Sequence, residues 1–248
     1  MSSIRLIGCD TWPEFKTRVI SELFPQGIFA RGQFLFRGQA DAEWPLISSY
    51  DRWFDRHGFD ESFRISYSDE LLRTFEAELA SGGSDVPALR EERVFVALAQ
   101  HYGLPTRLLD WSESPYVAAF FGFLGLLDVE QEGDVAIWAL SRPAFIWSEG
   151  RGVEVVHVSG DSNARLRNQE GRFTLNRSTF RTLEEYSNHF EGALKGVAAL
   201  YKFVIPATEA RTALADLDVM GINPSRCFSD ISGVATTARL RHWLGQTH

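Results

Sequence analysis

The longest apolar run in the chain extends from Tyr116 to Leu127 and directly follows the pair Ser114-Pro115. Serine is favoured as an N-cap and proline at the first helical position, so the pair predicts where a helix begins. Apolar side chains occur on every side of this helix, so other elements must surround it. Because the run is too short to span a bilayer, we expect a central core helix and no membrane segment.

The distribution of strand-like and helical patterns predicts an α+β fold. Segments rich in β-branched and aromatic residues predict strands at 134–140, 153–158, 173–175 and 201–205. Helical patterns precede and follow these strands, without the regular alternation of a doubly wound sheet, and the stretch 44–63 looks aromatic and irregular. The length suits one large domain or two small ones, and no linker separates two parts of the chain. We therefore expect a single domain over 1–248 with a helical part at about 10–128, a strand-rich part at about 130–206 and C-terminal helices at 207–245.

The charge of the chain argues against general binding to nucleic acid or to an anionic membrane. The net charge is −8, and such a protein repels polyanions over most of its surface. The stretch 151–181 is an exception, because it holds 6 arginines and 3 acidic residues. A nuclease or nucleic-acid binder that uses this stretch is therefore one open alternative.

The cysteines and histidines show no spacing that would bind a metal. Cys9 and Cys227 lie far apart, without a CxxC pair, which favours a reduced, cytoplasmic compartment and no metal. The N-terminal residues lack the apolar region of a signal peptide. The nucleophile elbow, the Walker loop and the GxGxxG fingerprint are all absent.

The first segment that could carry chemistry is Phe36-Arg37-Gly38-Gln39, at the end of a predicted strand. A guanidinium with apolar neighbours needs a partner. That partner is either an acidic residue such as Asp110, in a structural salt bridge, or the phosphate or ribose of a ligand. In the second case the adjacent Gly38 would let the ligand approach the backbone closely.

The second segment is 99–112, where polar and apolar residues alternate around a turn. Its polar side chains can form a structural network, with Gln100 and His101 capping a helix and Arg107 pairing with Asp110. Alternatively, they frame a pocket. The candidate ligand-binding residues in this segment are His101, Tyr102, Thr106, Arg107, Asp110 and Trp111.

These two segments resemble the FRG domain family, which is named after the Phe-Arg-Gly triplet seen here at 36–38. The resemblance continues through 99–121, 165–175, 200–222 and Cys227-Phe228-Ser229-Asp230. It departs from the family at Cys227-Phe228, where a Leu-Phe or Leu-Tyr pair is usual. The family is mostly of unknown function, often bacterial and sometimes linked to anti-phage defence.

The layout is also similar to the ADP-ribosyltransferase fold, which binds NAD in a cleft of a split antiparallel sheet. By this resemblance Arg37, with Gly38 and Gln39 beside it, would bind the NAD ribose or phosphate. Ser112 would take the second motif position, and Gln169 or Glu170 the third. A carboxylate at the third position would favour the oxocarbenium-like state in which nicotinamide leaves. Tyr102, Trp111 or Phe173 would stack on nicotinamide.

Two functions follow from these resemblances. The first is a cytoplasmic NAD-dependent ADP-ribosyltransferase or NAD-consuming effector, in anti-phage defence or a toxin–antitoxin pair, with NAD as substrate and a protein or RNA acceptor. The second is a non-catalytic module that binds a nucleotide or a partner protein such as an antitoxin. The segment 177–196 is either an acceptor-recognition loop or an inert excursion.

Overall fold

The computed structural model describes residues 2–82, 91–127, 132–158, 171–228 and 231–245. Within them the chain has an α+β fold with mixed and antiparallel sheets. The strands are β1 (Ile4–Gly8), β2 (Phe34–Gln39), β3 (Leu108–Trp111), β4 (Asp134–Ser141), β5 (Val153–Val158), β6 (Gly171–Asn176) and β7 (Leu200–Pro206). The helices are α1 (Trp12–Leu23), α2 (Ser49–His57), α3 (Arg64–Ser81), α4 (Glu92–His101), α5 (Pro115–Leu124), α6 (Leu183–His189), α7 (Glu191–Leu194), α8 (Ala210–Val219), α9 (Pro224–Cys227) and α10 (Ile231–Gly245).

These elements form two compact units, each built from separate stretches of the chain. Unit 1 comprises 1–44, 112–144 and 194–248, and unit 2 comprises 45–111 and 145–193. Each unit has its own sheet.

The sheet of unit 1 has four strands in the order β1-β7-β4-β2. β1 runs parallel to β7, and the other neighbouring pairs are antiparallel. Its core face carries Phe36, Ile137 and Phe203, and apolar side chains of α1, α5 and α8 cover that face. Phe120 and Phe123 of α5 are fully buried, which confirms the central position predicted for this helix.

The sheet of unit 2 has three antiparallel strands in the order β3-β6-β5. Val156, Leu108 and Leu175 of this sheet pack with the apolar face of α4, including Val94 and Leu98. The predicted acceptor or excursion segment 177–196 contains α6, which begins with a capping box of Thr182 and Glu185.

Most of the element predictions are confirmed, one is wrong, and one strand was not predicted. Ser114 caps α5 by accepting a hydrogen bond from the Val117 backbone N–H, and strands occupy all four of the segments predicted to be extended. The stretch 44–63 is not irregular, because it contains α2, whose cap Ser48 accepts from the Asp51 N–H. The sequence patterns also missed β1, which has only five residues and is mostly exposed.

None of the described helices is both long and apolar enough to cross a membrane. In the same part of the chain, no three histidine, cysteine or acidic side chains are grouped closely enough to hold a metal ion.

Candidate functional site

The Phe36-Arg37-Gly38 triplet lies in β2, and strand alternation gives its three residues different surroundings. Phe36 points into the core of unit 1 and is fully buried. Arg37, one residue later, points to the opposite face of the sheet and is half-buried. Gly38 returns to the core face, beneath α5.

Gly38 is where α5 contacts the sheet most closely. A Cβ atom at this position would lie 1.9 Å from the Ala118 carbonyl oxygen and 2.7 Å from the Gly122 nitrogen. Gly122 and Gly125 face the sheet in the same way, since Cβ atoms there would lie 2.9 Å from Val135 and 2.8 Å from Ala40. The glycine after Arg37 therefore serves helix–sheet packing, on the side away from Arg37.

A row of polar and cationic side chains crosses the other face of the sheet. Arg37 lies directly opposite Trp138 of β4, and Trp138 lies directly opposite Lys202 of β7. Directly opposed residues share a face, so Arg37 and Lys202 flank Trp138 on either side. Gln39, two residues after Arg37, accepts a hydrogen bond of 2.6 Å from Trp138 Nε1. We call Arg37, Gln39, Trp138 and Lys202 the Arg37–Lys202 face.

Trp138 is the rigid centre of this face. It is only 2% exposed, and the bond to Gln39 fixes the orientation of its indole ring. The Lys202 ammonium lies 5.1 Å from the ring centroid, within the range of a cation–π interaction. Lys202 Nζ also donates a hydrogen bond of 2.5 Å to the Ala42 carbonyl.

The sequence analysis missed Lys202, although a signal was present. The chain has only three lysines, and this one interrupts the apolar strand Leu200–Pro206. A charged residue at the middle of a buried strand needs a compensating contact, and it is uncommon without one.

Ser112 lies beside β2, on the edge away from β4. Its backbone N–H and carbonyl exchange hydrogen bonds of 2.7 Å with the carbonyl and N–H of Phe36. Its hydroxyl oxygen accepts from the Ser114 N–H at 3.0 Å, which shapes the turn into α5. The structure thus brings the predicted second motif residue next to the strand that carries Arg37.

The remaining candidates with a described position belong to unit 2, where Gln100 organises the polar network. Its amide nitrogen donates to Asp110 at 2.9 Å, and its amide oxygen accepts from the Thr106 hydroxyl at 2.5 Å. Thr106 in turn accepts, through its carbonyl, from the Tyr50 N–H. Gln100 therefore bridges the turn and β3, and it does not cap the helix as one alternative predicted.

Arg107 does not pair with Asp110, which excludes the other structural alternative. Its Nη2 donates to the Ser178 carbonyl at 2.6 Å, and the residue is only 6% exposed. Burial, together with the nearby charge of Arg64, lowers the pKa of Arg107 to about 10. This arginine is a buried structural group of unit 2.

The aromatic candidates of unit 2 differ in exposure. Tyr102 is 52% exposed and its ring contacts that of His101, with centroids 5.5 Å apart. Trp111 is buried, and its Nε1 donates to the Thr174 hydroxyl at 3.0 Å. Phe173 is half-buried and packs against the core of the unit. Of these rings, Tyr102 has the most surface available for stacking on a ligand.

The predicted third motif position, Gln169 or Glu170, lies outside the described residues. Among the positions that are described, Arg37, Gly38, Gln39 and Ser112 belong to unit 1. His101, Tyr102, Thr106, Arg107, Asp110, Trp111 and Phe173 belong to unit 2. Within unit 1, the arrangement places two cationic side chains on one face of the sheet.

Comparison with known proteins identifies the region that carries these features. No curated protein and no solved structure matches the chain significantly. The sequence model of the FRG domain matches residues 32–131, which include the Phe36-Arg37-Gly38 triplet, the turn at Thr106 and all of α5. The chain therefore contains an FRG domain over these residues.

Proposed function

We propose that the chain binds NAD through Arg37 and transfers ADP-ribose from it. The observation that carries the proposal is the placement of Arg37. Packing of Gly38 under α5 and burial of Phe36 fix the backbone on both sides of this residue. The residue is half-buried, and strand alternation places its side chain on the sheet face opposite the core. A planar donor held in this way suits bidentate binding of a phosphate or a ribose.

The residues of unit 1 fit the anionic part of such a substrate. Arg37 and Lys202 provide positive charge on one face of the sheet, and Trp138 and Gln39 hold that face in place. Low conformational freedom at the donors lowers the entropy lost on binding.

In the proposed reaction the bond between the ribose C1′ and nicotinamide breaks. Nicotinamide leaves with the electron pair, and an acceptor nucleophile forms a bond to C1′ and loses its proton. A carboxylate near the ribose would stabilise the developing positive charge. The resemblance assigns this position to Gln169 or Glu170, of which Glu170 is the carboxylate. In the cell we propose that the chain acts as an NAD-consuming effector in defence or toxin–antitoxin systems.

A second candidate is a non-catalytic nucleotide-binding module. This candidate is favoured because the side chains of predicted site residues form hydrogen bonds within the protein. The hydroxyl of Ser112 shapes the turn before α5, and Gln39 holds Trp138. Such a module would bind the ligand without turnover.

One experiment separates these functions. The full chain is titrated calorimetrically with NAD, and nicotinamide release is then followed for several hours. The transferase predicts binding and release, with release lost in Glu170→Gln or, if the amide holds the site, in Gln169→Ala. Binding without release in any condition with candidate acceptors supports the module. No binding at millimolar NAD refutes the transferase, and it also refutes a module that binds NAD.

A further inference from the structure

We infer that Lys202 is a second anion-binding group of the Arg37–Lys202 face, and that the site takes the pyrophosphate of a dinucleotide. This inference rests on the proposed function and names the part of the ligand that the face recognises. It is carried by the register of three strands, by the contacts of the Lys202 ammonium and by the distribution of lysines.

The register sets the spacing of the two cations. Arg37 and Lys202 lie on strands that flank β4, each directly opposite Trp138. Neighbouring strands are separated by about 4.8 Å, so the two Cα atoms lie about 10 Å apart. Both side chains lie on the same face of the sheet, one on either side of Trp138. A pyrophosphate, with two linked phosphate groups, offers one anionic group to each cation.

Among the described residues, no oppositely charged group pairs with Lys202. An ammonium group has three N–H donors. Within the described part of the chain, Lys202 Nζ makes one hydrogen bond, to the Ala42 carbonyl, and no ion pair with a carboxylate. The residue is half-buried, so its charge is only partly solvated. An anion on this face would therefore gain more from Lys202 than from a fully hydrated surface lysine.

The other lysines show that this arrangement is specific to Lys202. Lys16 is neutralised by Asp216, with 2.7 Å between Nζ and Oδ2. Lys195 is exposed, outside any helix or strand. A lysine with a purely structural role would stabilise the strand through the aliphatic part of its side chain. Replacement of such a lysine by methionine would leave the ligand affinity unchanged.

The test compares Lys202→Met and Lys202→Arg with the wild type and with Lys16→Met as a matched lysine replacement in the same unit. Each protein is titrated with ADP-ribose, inorganic pyrophosphate and adenosine, after circular dichroism has shown that it is folded. We expect Lys202→Met to weaken ADP-ribose and pyrophosphate by at least about tenfold, because a hydrogen bond to a charged group is lost. Lys202→Arg and Lys16→Met should stay within about threefold of the wild type.

Adenosine, which lacks the anion, should bind equally to all four proteins or to none. If Lys202→Met binds ADP-ribose as the wild type does, while Arg37→Met does not, the role of Lys202 is refuted and the proposed function stands. If the wild type binds neither ADP-ribose nor pyrophosphate, both are refuted.

A second measurement needs no variant. The wild type is acetylated briefly with acetic anhydride, with and without ADP-ribose, and the three lysines are quantified by mass spectrometry. We expect the ligand to slow acetylation of Lys202 and to leave Lys195 unchanged. Equal rates at Lys202 under saturating ADP-ribose would overturn the inference.

Discussion

Replacement of Gly38 by alanine tests how the Phe-Arg-Gly triplet is built. The new Cβ would lie 1.9 Å from the Ala118 carbonyl oxygen, and an ordinary contact starts at 3.4 Å, so α5 and β2 would have to separate by about 1.5 Å. The obstructing atoms belong to the backbone of α5, so no side-chain rotation can relieve the contact. Overpacking of a core costs about 1–3 kcal/mol, and this contact belongs at the upper end of that range.

The expected loss is about 3 kcal/mol of the free energy of unfolding. Alanine restricts the unfolded chain and recovers about 0.4–1 kcal/mol, which is too little to offset the clash. For a chain of this size we expect the Tm to fall by roughly 6–12 °C. Urea unfolding followed by tryptophan fluorescence measures the change.

Two other glycines provide the comparison. Gly8→Ala is the control, because nothing lies within 4 Å of its Cβ position, and it should change stability by less than about 0.5 kcal/mol. Gly122→Ala should cost less than Gly38→Ala, since its nearest atom is a valine side-chain methyl at 2.9 Å. A loss below about 1 kcal/mol for Gly38→Ala would show that α5 does not rest on Gly38.

Three further predictions concern charged groups and thiols. Asp51→Asn should lower the free energy of unfolding, measured in urea, by about 3–5 kcal/mol. The change breaks a buried ion pair of 2.5 Å with Arg64 and leaves the arginine charge buried without its carboxylate. A loss below about 1 kcal/mol would contradict this. Burial alone would raise the pKa of Glu154, but hydrogen bonds from two arginines outweigh it and lower the pKa. The stabilisation from ionised Glu154 is therefore present above the unfolded-state pKa, near 4.5, and is lost as pH falls through the folded-state pKa. On acid titration, Glu154→Gln should lose less stability than the wild type. Equal losses would refute this role of Glu154. Burial raises the pKa of the Cys9 thiol to about 11. At pH 8 the native protein should therefore resist alkylation of Cys9 by iodoacetamide until it is unfolded. Rapid alkylation of native Cys9, detected by mass spectrometry, would contradict this.

Local signals in the sequence were sufficient to predict α5 and the residue at which it begins. The cap at Ser114, the proline after it and the apolar surface all act within one helix, so they can be interpreted without the rest of the chain.

Features that depend on distant pairing could not be predicted in this way. The role of Gly38 depends on its contact with α5, about eighty residues later in the sequence. From the sequence alone, a glycine after Arg37 was equally consistent with close approach of a ligand to the backbone. The row formed by Arg37, Trp138 and Lys202 depends on the register of three strands that are separated along the chain. The interleaving of two units, in which each takes up separate stretches, also leaves no local trace.

The account depends most on Arg37 as the group that binds an anionic ligand. The direct test is calorimetric titration of ADP-ribose into the wild type, into Arg37→Met, and into Arg31→Met. Arg31 lies in the same unit, pairs with Glu113 and has its side chain 79% exposed, so its replacement removes the same charge outside the Arg37–Lys202 face. Loss of a charged hydrogen bond predicts that Arg37→Met weakens binding by about 10- to 150-fold and that Arg31→Met leaves it unchanged. Equal affinity in all three proteins would contradict the central claim.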